Sequence, residues 1–170
     1  MFNDKSRPLY FLCEVMRLDR ISKEYLIDFV KNASQKKWGS QLTDEAINTI
    51  IALSQRHTFY FNRLCRVAFK ESTPPTNNQI LDFWNRYIEV QLWIEKDLAL
   101  LSINQMKFLL AITKQTTVQK HGHYMRNETG MSPSSIDNVI KTLTSKDIVF
   151  INSNSEYQIL DPAVYYYLKR

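Results

Sequence analysis

Between Met131 and Leu168 the spacing of apolar positions changes period twice. Ile136, Val139, Ile140 and Leu143 recur at three- and four-residue intervals, which places them on one face of a helix. Ser132-Pro133 supplies its start: a serine to accept the free N–H groups and a proline suited to the first turn. Ile148-Val149-Phe150-Ile151 is a short β-branched and aromatic run, Asn152-Ser153-Asn154-Ser155 a turn cluster, and Tyr157-Gln158-Ile159-Leu160 a second strand. Asp161-Pro162 then caps a last helix. A helix followed by a β-hairpin is the second half of a winged helix-turn-helix, in which the helix before the hairpin often reads DNA.

Upstream the pattern is helical throughout. Ser22 is expected to cap a helix over about 23–36, with Tyr25-Leu26, Phe29-Val30 and Ala33 as its apolar stripe and Gly39 as its end. Thr43 caps a second helix that carries Ile47, Ile50, Ile51 and Leu53 towards Arg56, with Asp44 and Glu45 in the first turn complementing the helix dipole. A third, over about 59–70, turns Phe59, Tyr60, Leu64, Val67 and Ala68 inward. Thr73-Pro74-Pro75 breaks the chain, and Thr76 to Gln79 resembles a capping box opening one long helix towards Leu98. Its ridge is Phe83, Trp84, Tyr87, Val90, Gln91 and Ile94. Ser102 caps the next helix, with Met106, Leu109, Leu110 and Ile112 inward. Gly122 to Thr129 forms a short helix, and Gly130 makes the turn into the helix at Pro133. Arg7-Pro8 is a breaker, and Leu9-Tyr10-Phe11-Leu12 is too short to assign. Tyr165-Tyr166-Tyr167 cannot all face inward on one helix, so at least one is expected at the surface.

Composition narrows the function classes. The chain has 170 residues, 44% hydrophobic, with only three glycines and five prolines, which suits a packed, mostly helical protein. Those glycines form no phosphate-cradling loop. The net charge of +5 is compatible with nucleic acid, but the basic residues are spread over both halves. Cys13 and Cys65 lie far apart among apolar neighbours, as reduced buried thiols do. With no apolar run long enough to cross a bilayer, a cytoplasmic protein without a membrane partner is expected.

The helix at Pro133 offers Ser134, Ser135, Asn138, Lys141 and Thr142 on its polar face. Asparagine pairs with adenine edges, serine and threonine reach bases or phosphates, and lysine neutralises phosphate. Lys120 and Arg126, just before and within the preceding short helix, are placed to anchor the phosphate backbone. The wing, Asn152 to Ser155, is polar and uncharged, whereas wings that grip a minor groove often carry Arg or Lys. His121 and His123 lack further ligands at zinc spacing, so no metal is expected. No local signature unites the cysteines and histidines into a nucleophilic site, so no enzyme activity is expected of this chain.

Several stretches together resemble the C-terminal lid and winged-helix region of a AAA+ (STAND-like) ATPase of the kind common in archaea and bacteria. The resemblance rests on Ser6-Arg7-Pro8-Leu9-Tyr10, Leu18-Asp19-Arg20-Ile21, Ile47 to Ser54, His57-Thr58-Phe59-Tyr60-Phe61-Asn62-Arg63-Leu64-Cys65, Leu101-Ser102, Met131 to Ile136 and Tyr157 to Pro162. Thr58 stands where that family prefers proline, and the nucleotide-binding core is absent. The resemblance implies a mainly α fold: a helical lid-like bundle over 1–72, a connecting helix over 73–98 and a winged helix with a small β-hairpin over 99–170. It implies Arg7 and Arg56 as nucleotide-sensing residues, with ATP and Mg²⁺ belonging only to a parent ATPase core and no cofactor on this chain. The partners expected are duplex DNA or, alternatively, an ATPase core or other protein docked without DNA.

Overall fold

The computed structural model describes residues 20–117, 119–152 and 154–170. Among them the chain is mainly helical, with one two-stranded antiparallel sheet near the C-terminus. Five helices come first: α1 (Lys23–Trp38), α2 (Asp44–Ser54), α3 (Thr58–Ala68), α4 (Asn77–Glu89) and α5 (Leu92–Ala99). Then follow α6 (Ile103–Lys114), α7 (His123–Thr129), α8 (Pro133–Ser145), the hairpin β1 (Val149–Ile151) and β2 (Tyr157–Ile159), and α9 (Pro162–Lys169).

The start signals work as the sequence implies. Thr43, Thr76, Ser102 and Ser132 each accept a backbone N–H of their helix, and Thr76 and Ser102 complete capping boxes with Gln79 and Gln105. Ser22 holds the N-cap position of α1, but its side chain makes no capping bond. Gly130 lies at φ 66, the left-handed conformation that lets α7 stop and α8 start at a new angle.

One expected helix is two. The stripe Ile80, Trp84, Ile88 keeps a four-residue step, but the next buried positions are Ile94 and Leu98. A straight helix would bring Gln91 or Leu92, not Ile94, beneath Ile88. The chain instead breaks at Val90-Gln91, where the Gln91 side chain donates to the Tyr87 carbonyl at 3.1 Å, and α5 restarts with Ile94 facing the core.

The α1 stripe is also narrower than expected. Leu26, Val30 and Ser34 are buried, whereas Tyr25 is 74% exposed and Phe29 53%. In α3, Phe61 and Cys65 turn inward and Phe59 is 55% exposed.

One apolar cluster runs through both halves, from Leu26 and Ile50 to Phe108, Ile136 and Val164. The C-terminal helix joins them: α9 packs on α4, α5 and α6. All three tyrosines are half-buried, Tyr166 meeting the Trp84 ring at 5.5 Å and Tyr167 donating to Glu95 at 3.0 Å, so none stands wholly at the surface. At the same junction the Tyr60 hydroxyl lies 2.7 and 2.8 Å from the two carboxylate oxygens of Asp161, the N-cap of α9.

Candidate nucleic-acid interface

The C-terminal part orders three helices, a two-stranded antiparallel hairpin and a last helix. α6 packs against α7 and α8, α8 leads into β1, and Val149, Phe150 and Ile151 face Ile159, Gln158 and Tyr157 across the hairpin. Thr117 forms a bridge with Tyr157, giving β2 a second backbone neighbour on its other edge. Ile136, Val139, Ile140 and Leu143 are buried, so the opposite face of α8 is the one turned outward.

Of the expected contact residues, Asn138 and Lys141 are exposed on that outward face, and Arg126 is exposed on α7. No carboxylate pairs with Lys141 or Arg126 among the described residues. Ser134 and Ser135 cluster with the capping serine: the Ser132 hydroxyl lies 3.1 Å from that of Ser134 and 3.0 Å from that of Ser135. The Thr142 hydroxyl donates to the Asn138 carbonyl at 2.9 Å, an internal helix bond that occupies its proton.

Lys120 differs most from its expected role. Its ammonium is 2.8 Å from Asp137 on α8, and the His121 ring is 2.9 Å from the same oxygen. Hydrogen bonds from Lys120 and His121 hold the Asp137 carboxyl below its ordinary value. Lys120 therefore neutralises the one acidic side chain within α8 and is not a free phosphate anchor. Lys114 is likewise taken by Glu128 at 2.7 Å. Sequence spacing carries no sign of these pairs, because each joins separate elements. Lys146, exposed at the C-cap of α8, extends the basic face and was not among the expected contacts.

The hairpin loop expected to be a wing is built on an Asx turn: the Asn152 side-chain oxygen accepts from the backbone N–H groups of Asn154 and Glu156, each at 2.9 Å. Its Nδ2 donates to the Glu156 carboxylate at 2.8 Å. Among the described residues the wing offers no cation to a phosphate.

A second constellation lies between α2 and the hairpin. The Arg20 guanidinium donates to the Leu160 carbonyl at 2.8 Å and sits 5.9 Å from the centre of the Phe150 ring. Burial and the nearby charge of Arg56 push Arg20 below its ordinary value. Gln55 and Arg56 both have left-handed backbones, φ 47 and 60, and so turn the chain sharply between α2 and α3. Burial and Arg20 push the imidazole of His57, the N-cap of α3, down. Arg56 is thus exposed beside a groove, while Arg7 lies outside the described residues.

The remaining chemistry is quiet. Burial raises the Cys65 thiol to about 12, which keeps it protonated and unreactive; Cys13 lies outside the described residues. Among the described residues no three His, Cys, Asp or Glu side chains converge to hold a metal ion, and no helix is long and apolar enough to cross a membrane. Comparison of the chain with protein-family models, curated proteins and solved structures finds no match.

Proposed function

We propose that the chain is a non-catalytic regulatory module that contacts duplex DNA through α8, serving a AAA+ (STAND-like) ATPase whose lid and winged-helix region it resembles. The observation that carries the reading is the charge state of the α8 face. Asn138 and Lys141 stand exposed, Lys146 and Arg126 flank them, and Asp137 is neutralised by Lys120 and hydrogen-bonded by His121. Asn138 would pair with a base edge; the three cations, which have no carboxylate partner among the described residues, would meet phosphates. Neutralising three phosphates gives a salt slope near −0.9 for each, so affinity should fall about 40-fold between 50 and 200 mM salt. Fluorescence anisotropy with a labelled duplex reads this directly. Binding that ignores salt, or no binding at tens of micromolar protein, about the range of non-specific affinity, would count against it.

A second reading is a protein-docking module without DNA contact. It is favoured by Tyr25, Phe29 and Phe59, which are exposed in the α1 and α3 region although large and apolar. Under that reading Tyr25→Ser/Phe29→Ser would abolish partner binding, and the unaltered chain would show no salt-sensitive binding to duplex DNA.

A further inference from the structure

α5 has two apolar faces, and the fold uses one. Ile94 and Leu98 point into the core. Leu92, Trp93 and the C-cap Leu100 lie on the opposite side of the same short helix, at spacings that keep them together. Leu92 is 65% exposed and Leu100 80%. Val90, at the break before α5, and Ile103, the first residue of α6, extend the strip at its two ends and are 69% and 77% exposed. A helix that is apolar all round is ordinarily buried all round.

One exposed leucine needs no explanation, but Val90, Leu92, Trp93, Leu100 and Ile103 fall within a single turn-and-helix segment. Together they expose roughly 600 Å², about the largest apolar patch that a monomer ordinarily shows. Two copies closing on it would remove roughly 1,200 Å² from water, the lower bound of a specific interface.

The order of residues selects a second copy over an unrelated partner. A contact across a two-fold axis needs a surface that complements itself. Two α5 helices laid antiparallel, with the axis between Lys96 and Asp97, set Lys96 of each copy against Asp97 of the other. The same register sets Trp93 against Leu100 and Val90 against Ile103, so apolar pairs flank a central double ion pair. Lys96 and Asp97 are both exposed, and neither has an opposite charge as partner among the described residues. Glu95, the other acid of α5, is turned towards α9, where it accepts from the Tyr167 hydroxyl at 3.0 Å. A parallel pairing would instead oppose Lys96 to Lys96, which like-charge repulsion disfavours.

We propose that the chain forms a two-fold symmetric dimer through α5 and the turn into α6, with Trp93 and Leu100 as its apolar anchors and Lys96–Asp97 pairs fixing the antiparallel register. Leu100 stands at the centre of the exposed strip and carries the association; the charges carry its orientation.

Sedimentation equilibrium of the full chain tests this without nucleic acid, so its result is independent of the α8 reading. Over about 1–200 µM protein, the range of a micromolar Kd, the mass should rise from 20.1 kDa to twice that value and stop. Leu100→Glu, at an exposed position, should keep the urea midpoint of the unaltered chain and stay at the monomer mass throughout. Lys96→Asp and Asp97→Lys should each weaken dimerisation about tenfold or more, since each opposes like charges twice. The double variant Lys96→Asp/Asp97→Lys should restore it, a recovery that unspecific apolar association would not show. A monomer at every concentration would overturn the proposal and leave the strip to a different partner. A mass that climbs past two copies would overturn it too, since the contact would then be head-to-tail. So would a Leu100→Glu chain that still dimerises, or a double variant as weak as its parents.

Discussion

Tyr60→Phe removes one oxygen from the junction between the two halves and leaves the packing intact. The Tyr60 ring is 3% exposed and meets Trp84 at 5.6 Å and Tyr87 at 6.0 Å, contacts that phenylalanine keeps. What is lost is the hydrogen bond to Asp161, at 2.7–2.8 Å. Asp161 keeps the Ala163 N–H at 2.7 Å on one oxygen, but the other loses its only protein donor among the described residues. A hydrogen bond to a charged group contributes about 1.5–3 kcal/mol, so the expected loss is about 2 kcal/mol. With a urea slope of about 2 kcal/mol per molar, the midpoint should drop by about 1 M; by heat, by about 4–8 °C for a chain of this size. Urea unfolding followed by circular dichroism measures it. Asp161→Asn, made alone and with Tyr60→Phe, completes a double-mutant cycle whose coupling should exceed about 1 kcal/mol. A single-variant loss below about 0.5 kcal/mol, the size of an ordinary surface change, would refute the assignment of this bond as a tie between the halves.

Gly130→Ala should cost about 1 kcal/mol by urea unfolding, because the residue sits at φ 66 with nothing within 4 Å of an added Cβ, leaving backbone strain as the only penalty. The His57 imidazole is held below its ordinary value near 6.5, so the unfolded chain takes up its proton first; its stabilising effect is complete above about pH 6.5 and is lost as pH falls through the lowered folded value. His57→Gln should therefore flatten the decline in stability between pH 7 and 5.5, measured by urea midpoint. Asp137→Ala should release Lys120 to solvent and strengthen duplex binding at low salt, since a negative charge leaves the α8 face while a cation is freed; weaker binding would show that Asp137 orders the reader instead.

The mainly α class and the helix–hairpin order were legible because they rest on local signals: caps at Thr43, Thr76, Ser102 and Ser132, and the change from helical spacing to a β-branched run at Ile148. The failures are tertiary. Tyr25, Phe29 and Phe59 fit an apolar stripe, but α1 buries its Leu26–Val30–Ser34 line, leaving their rings outside. The break at Val90 carries neither glycine nor proline; it follows from where Ile94 must point. On the candidate interface, Asn138, Lys141 and Arg126 fell on open surface as their helix positions imply. Lys120 did not, because its partner Asp137 lies 17 residues on, across the turn between α7 and α8. Arg20 escaped notice altogether as a groove residue: its tie to the Leu160 carbonyl spans 140 positions.

The central claim is that α8 reads DNA, and a duplex titration of the isotope-labelled chain followed by NMR tests it at residue level. The account predicts that amide and side-chain signals of Asn138, Lys141, Lys146 and Arg126 shift first and saturate together, while those of Tyr25, Phe29 and Phe59 stay fixed. Shifts confined to the α1 and α3 region, or none on α8 with duplex in excess, would contradict it.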